Sequence, residues 1–323
     1  MIILTGAAGF IGSCLLAKLN EIGRSDILVV DHLSGNHDPK KVNLQDKKYS
    51  EYFDKKDFLE LILEDRLKGS VECLLHIGAC SSTTLQDARY FQENNFEYSC
   101  YLAQWAIKHD ARFIYASSAA TYGDGSKGYS DDHARIKEFQ PLNLYGDSKQ
   151  KFDAWILVQG LIDKVVGLKF FNVFGPNEYH KGEMRSVIAK AYERVRDEGK
   201  IGLFKSYQKK YRDGEQKRDF IYVKDAVNVV MFFIEHPQIN GIFNVGTGKA
   251  RTWNDLAGAL FAAVGKKTNI EYIDMPAVLR DKYQYFTQAE VGKLRKAGYQ
   301  KPFRELEEAV QDYVGYLNCH AYL

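Results

Sequence analysis

Three evenly spaced glycines follow the first apolar run of the chain and constrain its fold more than any other feature. They are Gly6, Gly9 and Gly12, and the residues after them, 13–22, have the pattern of a helix. Glycines at such positions allow a tight turn, close approach of the backbone to a pyrophosphate, and close packing of the helix on the strand. Asp31 follows the second apolar run, at about the twenty-residue spacing of a ribose-binding carboxylate. The sequence therefore predicts a dinucleotide-binding strand, turn and helix.

Short apolar runs alternate with amphipathic stretches through the first half of the chain. Runs of this length, separated by helical patterns, are typical of buried strands in a parallel sheet. The alternation predicts an α/β fold with a doubly wound parallel sheet, the Rossmann architecture. The predicted strands are residues 2–4, 27–30, 71–77, 112–117 and 165–171.

The second half predicts a smaller lobe that is interwoven with the first domain. The chain has six prolines and no Pro/Gly/Ser-rich linker, so a tethered second domain is not indicated. We predict a long loop at 205–217, strands at 218–223 and 241–246, and a helix at 225–235. The expected division is a dinucleotide-binding domain of residues 1–171 and 214–247, and a substrate-binding lobe of residues 172–213 and 248–323.

The composition argues against nucleic acids, membranes and metals as partners. The 323 residues carry 44 basic and 42 acidic side chains, and a formal charge of +2 gives no field that attracts a polyanion. No run of about eighteen apolar residues occurs, and no basic segment precedes a long apolar one at the N-terminus. The five cysteines include no Cys-x-x-Cys pair, so neither a disulfide framework nor a zinc site is indicated. We expect a cytoplasmic protein without a bound metal.

Tyr145 and Lys149 form a pair that suits acid/base chemistry. Their four-residue spacing places both side chains on one face of a helix. A free phenol has a pKa of about 10, which is too high for a base at neutral pH. We expect the Lys149 ammonium and a cationic nicotinamide to lower the pKa of Tyr145, so that its phenolate takes the proton of a sugar hydroxyl.

These motifs together resemble the extended short-chain dehydrogenase/reductase family, in particular its NAD-dependent epimerase/dehydratase type. The glycine spacing, the Tyr-x-x-x-Lys pair and segment 116–123 carry the resemblance, which covers most of the chain. It implies that Ser118 hydrogen-bonds the reacting oxygen and that Lys149 also holds the nicotinamide ribose. The residues that the glycine turn and the resemblance together assign to the cofactor are Gly6, Gly9, Phe10, Ile11, Gly12, Asp31, His32, Lys40, Lys55, Ile77, Gly78, Ala79, Cys80, Ser81, Asn94, Lys149, Val173 and Lys181.

The residues after Ser118 narrow the reaction. Dehydratases of the resembled family have an Asp-Glu pair there, because expelling a hydroxyl as water requires an acid. This chain has Ala119 and Ala120. Epimerases and net reductases therefore remain.

Further segments resemble the epimerases that act at C6 of an ADP-activated heptose in lipopolysaccharide core synthesis. They are residues 78–84, 171–176, 180–182, 217–220 and 283–288. The resemblance implies transient oxidation at C6 with a tightly bound nicotinamide cofactor, and it gives Lys181 the role of a second acid/base. It also implies that Arg218 contacts the substrate diphosphate. The residues assigned to the substrate are Ser118, Asn172, Glu183, Lys190, Phe204, Lys205, Ser206, Tyr207, Arg218 and Tyr283.

Three features depart from the resembled group. Glu183 stands where the group has a small serine, and Lys190 replaces a histidine that contacts the substrate. The 205–217 loop is also longer than in the group. These departures concern the contacts with the substrate more than the reaction.

The choice between NADP and NAD depends on opposing charges. Asp31 by itself favours NAD, because a carboxylate repels a 2′-phosphate. Lys40 and Lys55 fall where the resembled epimerases place lysines that bind this phosphate, so we expect NADP, with NAD as the alternative. If Lys40 and the adjacent Lys41 lie in a solvated loop away from the cofactor, NAD is favoured.

Two other functions remain open from the residues alone. One is an epimerase or reductase acting on a UDP- or GDP-sugar with the same cofactor site. The other is a catalytically silent dinucleotide-binding scaffold, although the presence of Ser118, Tyr145 and Lys149 argues against it. The resemblance also implies a homo-oligomer, with a pentamer as one form.

Overall fold

The computed structural model describes residues 1–35, 37–280 and 283–323. Its strands, in chain order, are β1 (Ile2–Thr5), β2 (Ile27–Asp31), β3 (Glu51–Asp54), β4 (Cys73–His76), β5 (Arg112–Ser118), β6 (Val165–Phe170), β7 (Asn172–Phe174), β8 (Ile201–Phe204), β9 (Lys217–Tyr222), β10 (Gly241–Val245), β11 (Ala250–Thr252) and β12 (Ile270–Ile273). Its α-helices are α1 (Phe10–Glu21), α2 (Lys55–Leu63), α3 (Ala88–Phe91), α4 (Tyr98–Lys108), α5 (Leu144–Val158), α6 (Val187–Glu198), α7 (Val223–Glu235), α8 (Trp253–Val264), α9 (Ala277–Arg280), α10 (Gly292–Lys296) and α11 (Leu306–Cys319).

The main sheet is parallel throughout and has seven strands in the order β10-β6-β5-β4-β1-β2-β3. Its central strands are covered on both faces, and all the residues of β1, β4 and β6 are buried. Burial on both faces explains why these strands are continuous apolar runs in the sequence. The predicted doubly wound α/β fold is confirmed, and the predicted strands are present with small shifts at their ends.

A crevice for a ligand follows from this strand order. The chain leaves β1 toward β2 on one side, while β4 lies on the other side of β1. The connections that follow these neighbouring strands therefore diverge at their carboxyl ends. In doubly wound sheets, ligands bind at this switch point. The glycine turn after β1 and the segment after β4 both reach it.

Two small sheets lie outside the main one. One has the order β11-β9-β7, and the other pairs β12 with β8. The predicted strand at 218–223 is β9, which runs parallel to β7 and antiparallel to β11. It thus joins segments assigned to both predicted lobes, and the lobe boundaries stay a prediction.

The helices cover the sheets and carry several site residues. The helix after the glycine turn begins at Phe10, earlier than predicted, and the helix predicted at 225–235 begins at Val223. A π-helical turn, Gln92–Glu97, joins α3 to α4, and a 3₁₀ helix, Tyr179–Met184, precedes α6. Within the described ranges, no helix is long and apolar enough to cross a membrane.

Candidate active site

The glycine turn packs directly against the end of β4. Gly6 has φ +71°, and a Cβ there would lie 2.5 Å from Cα of Gly78. A Cβ on Gly12 would lie 2.0 Å from the carbonyl oxygen of Gly6. A larger residue at Gly6 would push the turn away from the end of β4, and one at Gly12 would push α1 away from the turn. Gly9 is the N-cap of α1, so the first-turn amides of this helix, which lack intrahelical acceptors, face the crevice without a capping side chain.

Two adjoining cavities at this crevice contain every residue predicted to bind the cofactor. The larger has a volume of about 360 Å³, and the smaller about 200 Å³. Gly6, Asp31 and Lys40 line both. The predicted residues in the larger cavity are Gly6, Gly9, Phe10, Ile11, Gly12, Asp31, Lys40, Ile77, Gly78, Ala79, Ser81, Lys149, Val173 and Lys181. The smaller cavity adds His32, Lys55, Cys80 and Asn94.

Asp31, at the end of β2, is held in place by three donors. One carboxylate oxygen, Oδ2, accepts from the amide of Ala8 at 2.9 Å. The other, Oδ1, accepts from the amide of His32 at 2.7 Å and from Nζ of Lys40 at 2.8 Å. Lys40 therefore reaches the cavity rather than lying in a solvated loop away from it. Its ammonium also offsets the charge of Asp31, which lowers the repulsion that the carboxylate exerts on an anionic ligand.

Lys55 and His32 complete the wall of the smaller cavity. Nζ of Lys55 donates to Oδ1 of Asn94, and burial lowers the pKa of this lysine. Nδ1 of His32 lies 2.8 Å from a carboxylate oxygen of Asp54. Lys40 and Lys55 thus both line the smaller cavity, and the charge of Lys40 also lowers the pKa of Lys55.

These observations fit a dinucleotide. The uncapped N-terminus of α1 suits a pyrophosphate, and Asp31 suits the hydroxyls of a ribose. The close contact between the glycine turn and Gly78 leaves the crevice free of side chains at the point where a backbone must approach the ligand. Among the described residues, no cluster of three or more histidine, cysteine or acidic side chains is arranged to hold a metal ion.

Tyr145 and Lys149 lie in the first turns of α5 and line the larger cavity together with Ser118. Asn143 caps this helix by accepting from the amide of Gly146 at 2.8 Å. Nζ of Lys149 donates to the carbonyl of Ala116 at 2.7 Å, and burial lowers the pKa of Lys149 to about 8. Lys149 is therefore held against the end of β5, the strand that also carries Ser118.

Burial works against the expected lowering of the Tyr145 pKa by Lys149 and a cationic nicotinamide. Burial raises the pKa of this phenol, and the hydrogen bond with Ser118 opposes the rise. The sequence could not reveal this balance, because desolvation depends on the cavity wall rather than on the spacing of Tyr145 and Lys149.

A buried charged network that the sequence did not reveal lies behind Ser118. Asp153 and Lys169 are fully buried, and Nζ of Lys169 donates to the Asp153 carboxylate at 2.6 Å. Ser117 also donates to this carboxylate, at 2.7 Å. Lys169 donates in addition to Thr121 at 2.7 Å, and the Thr121 hydroxyl donates to the carbonyl of Ser118 at 2.8 Å. The network ties α5 and β6 to the turn that carries Ser118. A lysine inside the apolar run at 165–171 was the only sequence signal.

The π-helical turn Gln92–Glu97 also holds two segments of the cavity wall together. Asn95 in this turn is buried, and its side chain accepts from the amide of Cys80 at 2.8 Å and donates to its carbonyl at 2.9 Å. It also donates to Ser148 of α5 at 3.0 Å. Asn95 therefore fixes the segment after β4 relative to α5. The sequence analysis assigned the neighbouring Asn94 to the cofactor but did not identify this role of Asn95.

Lys181 enters the larger cavity from the 3₁₀ helix before α6. Its ammonium lies 5.3 Å from the ring centroid of Phe10. Burial lowers the pKa of Lys181, and the negative charge of Glu178 opposes this effect. The neighbouring His180 also lines the cavity, and burial lowers its pKa to about 4. His180 is thus a neutral cavity residue that the sequence analysis did not assign.

Arg218 lies on β9 among aromatic rings. Its guanidinium lies 5.0 Å from the ring centroid of Tyr283 and 5.8 Å from that of Trp253, and the side chain is buried. Nε1 of Trp253 donates to the Tyr283 hydroxyl at 2.9 Å. Burial lowers the pKa of Arg218, yet guanidinium groups stay charged in proteins. The arrangement holds a fixed cation with few protein acceptors, and Trp253 was not predicted.

The other residues assigned to the substrate lie in an apolar groove, at the exposed residues Asn172 and Glu183, and along the 205–217 loop. Phe204, Lys190 and Tyr283 line a mainly apolar groove of about 310 Å³ between α6 and β8. Asn172 is exposed and accepts from Thr287 at 3.3 Å, while Nζ of Lys190 donates to the carbonyl of Glu183 at 3.2 Å.

The 205–217 loop borders a separate, larger cleft. Tyr207 and Tyr283 line this cleft, whose volume is about 1170 Å³. Lys205 forms an ion pair with Asp274 at 3.1 Å, and the amide of Ser206 donates to Asp213 at 2.7 Å. Tyr283 therefore separates the groove from the cleft, and the structure does not gather all the predicted residues into one cavity.

The chain is similar over most of its length to known nucleotide-sugar enzymes. A family model described as the NAD dependent epimerase/dehydratase family matches residues 2–246. An ADP-L-glycero-D-manno-heptose-6-epimerase of Nitratidesulfovibrio vulgaris is 53% identical over 314 residues, covering 97% of each chain. The enzyme of that name from Fusobacterium nucleatum is 44% identical over 323 residues, again covering 97% of each. The crystal structure of Helicobacter pylori ADP-L-glycero-D-manno-heptose-6-epimerase is similar with a TM-score of 0.82 and 27% identity, covering 98% of this chain and 96% of that one. The chain therefore belongs to the NAD dependent epimerase/dehydratase family.

Proposed function

We propose that this protein interconverts ADP-D-glycero-D-manno-heptose and ADP-L-glycero-D-manno-heptose at C6, as a step in lipopolysaccharide core precursor synthesis. The proposal rests on the positions of Tyr145 and Lys181. Tyr145 lies on α5 and Lys181 on the 3₁₀ helix before α6, yet both line one cavity beside the glycine turn. The full-length relatives with this printed activity support the choice of substrate. An epimerase that inverts a carbon by oxidation and reduction needs proton transfer at its oxygen in two orientations, and two acid/base groups supply it.

The residues around the cavity have different roles in the reaction. A bound nicotinamide supplies reversible oxidation of the C6 carbinol. Tyr145 takes or returns the proton of the C6 oxygen in one orientation, with Ser118 hydrogen-bonded to that oxygen. Lys181 does so in the other orientation, after rotation about the bond to C6. Lys149 holds the nicotinamide ribose and adds positive charge beside Tyr145. Because Ala119 and Ala120 follow Ser118, no acid stands ready to expel a hydroxyl as water.

Arg218 on β9 and residues of the predicted substrate lobe together hold the ADP group. Arg218 binds the diphosphate, because its fixed guanidinium is buried among rings and suits two anionic oxygens. Phe204 and Tyr283, which line the apolar groove, offer a surface to the adenine, and Asn172 also contacts the substrate. The remaining contacts are assigned to Glu183, Lys190, Lys205, Ser206 and Tyr207.

Isotope retention at C6 tests this mechanism. The substrate is prepared with deuterium at C6 and incubated with the protein as purified, without added cofactor. The expected product is the other epimer with deuterium still at C6, because the hydrogen removed from this carbon returns to the same carbon. Epimerisation with loss of the label to water would contradict the mechanism. A substrate deuterated at C5 is the matched control for exchange elsewhere in the sugar.

We propose NADP as the cofactor. The support is that Lys40 and Lys55 both line the smaller cavity, and that Lys40 already offsets the charge of Asp31. Charge-assisted contacts to a phosphate are worth roughly 1.5 to 3 kcal/mol each. Mass spectrometry of the nucleotide released on denaturation is the test. NADP is expected, and its share should fall in a Lys40→Ala/Lys55→Ala variant; predominant NAD in the unaltered protein would contradict the assignment.

A further inference from the structure

The segment that carries Lys181 is closed at its base by one side chain. We call residues 178–186 the Lys181 loop. Glu178 begins this loop and is fully buried. Its Oε2 accepts from the amide of Ser186 at 2.6 Å, and its Oε1 accepts from the Ser186 hydroxyl at 2.6 Å. Two bonds from a single carboxylate therefore join the first and last residues of the loop.

Glu178 is also anchored to the rest of the molecule. The hydroxyl of Tyr313 on α11 donates to Oε1 at 2.9 Å, and the amide of Gly175 donates to the same atom at 3.4 Å. These donors and the two from Ser186 are all neutral, so the carboxylate keeps its negative charge uncompensated by them. The bonds from Tyr313 and Gly175 fix the base of the loop to α11 and to the segment after β7.

The negative charge of Glu178 acts electrostatically on the ammonium of Lys181, which lines the larger cavity. Glu178 raises the pKa of Lys181 against the lowering caused by burial. The other titratable groups near Lys181 are His180 on the same loop, and Asp31 and Lys40, which act on His180 from across the cavity. Tyr145 lines the same cavity, and the Phe10 ring centroid lies 5.3 Å from the ammonium. Glu183 of the same loop is exposed, so Glu178 is the buried carboxylate that the Lys181 loop supplies.

We propose that Glu178 is a positioning residue for proton transfer, which closes the Lys181 loop through Ser186 and supplies a buried negative charge at the base of this loop. The inference rests on the role proposed for Lys181. Without this charge, a buried lysine would lose its proton more readily and would serve poorly as an acid in one direction of the reaction. Without the two bonds to Ser186, the loop would not hold Nζ at the cavity wall.

The variant Glu178→Gln separates charge from hydrogen bonding. The amide oxygen of glutamine accepts from the Ser186 amide, and its NH₂ group donates to the hydroxyls of Ser186 and Tyr313, which can turn to accept. The loop stays closed while the charge is lost, and the long bond from the Gly175 amide loses its acceptor. The control is Tyr313→Phe, which removes one hydrogen bond from Glu178 and keeps the charge.

The readout is the pH dependence of acetylation of Lys181 in the purified protein, followed by peptide mass spectrometry. Acetic anhydride reacts only with the free amine, so the midpoint of reactivity reports the proton on Nζ. In Glu178→Gln the midpoint is expected to move down by about one pH unit, and the limb of the epimerisation profile that depends on Lys181 should move with it. In Tyr313→Phe both should stay at their original pH.

An unchanged midpoint in Glu178→Gln, or an equal shift in Tyr313→Phe, would overturn the inference. The variant Lys181→Met distinguishes this result from failure of the proposed function. If Lys181→Met loses turnover and Glu178→Gln shows no shift, the role of Glu178 is wrong and the function stands. If Lys181→Met turns over normally, the role of Lys181 is wrong, and the inference falls with it.

Discussion

Tyr145 and Lys181 arrive at one cavity by different routes. Tyr145 lies in the first turn of a capped helix, where its position follows from the helix geometry and from Asn143. Lys181 lies in a short 3₁₀ helix whose shape depends on Glu178 and Ser186. Sequence spacing suffices to pair Tyr145 with Lys149, whereas Lys181 could be assigned only through the resemblance to a family. The environment of each group, and so the direction of its pKa shift, became visible only in the fold.

Replacing Tyr145 with phenylalanine removes the ionisable oxygen and keeps the ring. We expect turnover to fall by about 100- to 10,000-fold, the usual contribution of a general acid/base. The amount of nucleotide released on denaturation should be unchanged, because the cavity wall remains. Turnover within a few-fold of the unaltered protein would exclude Tyr145 as the acid/base.

Replacing Lys181 with methionine should cost a comparable factor in both directions, because each direction of the reaction uses both groups. The matched control is Lys151→Met, since Lys151 is exposed on α5 and pairs only with Asp147 of the same helix among the ion pairs described. Initial rates from each epimer give the comparison. A normal rate for Lys181→Met would make this lysine a bystander.

At the scale of elements, α5, β5 and β6 form one unit through Asp153 and Lys169. Breaking such a buried pair by removing one partner is costly, because it leaves an uncompensated charge. The pair also fixes the distance between α5, which carries Tyr145, and the turn that carries Ser118. Stability and catalysis are therefore coupled in this unit.

The variant Lys169→Met leaves Asp153 buried without its cation. We expect the free energy of unfolding to fall by about 3–5 kcal/mol. Removing both charges, in Asp153→Asn/Lys169→Met, should recover part of this loss, because no buried ion then remains. Urea unfolding followed by circular dichroism measures both. Equal losses in the single and double variants would show that the charge of Asp153 is not the cause.

The elements that the sequence predicted are those with a single strong pattern. The buried strands of the main sheet, such as β1 and β6, are continuous apolar runs because both of their faces are covered. The edge strand β3 was missed, because its residues are only partly buried and include acidic side chains. The pair of β8 with β12 was missed as well, since it depends on contact between segments distant in the chain.

At the scale of the whole molecule, the switch point between β1 and β4 brings the cofactor residues together. Residues assigned to the cofactor from the glycine turn, the ends of β2 and β4, and α5 all line two adjoining cavities. The substrate residues could not be gathered from the sequence in the same way, because they lie on loops and small sheets around a groove and a separate cleft. Their positions depend on contacts such as those of Trp253 with Arg218 and Tyr283. The compartment and the oligomeric state stay predictions.

The proposed activity is epimerisation of an ADP-activated heptose at C6 without net oxidation. Proton NMR of ADP-D-glycero-D-manno-heptose incubated with the purified protein, without added reductant, follows this reaction itself. We expect signals of the L-glycero epimer to grow until the two forms reach equilibrium, and the same mixture to form from the other epimer. UDP-glucose should turn over far more slowly. An unchanged heptose spectrum, or turnover of UDP-glucose at an equal or higher rate, would show that the proposed activity is wrong.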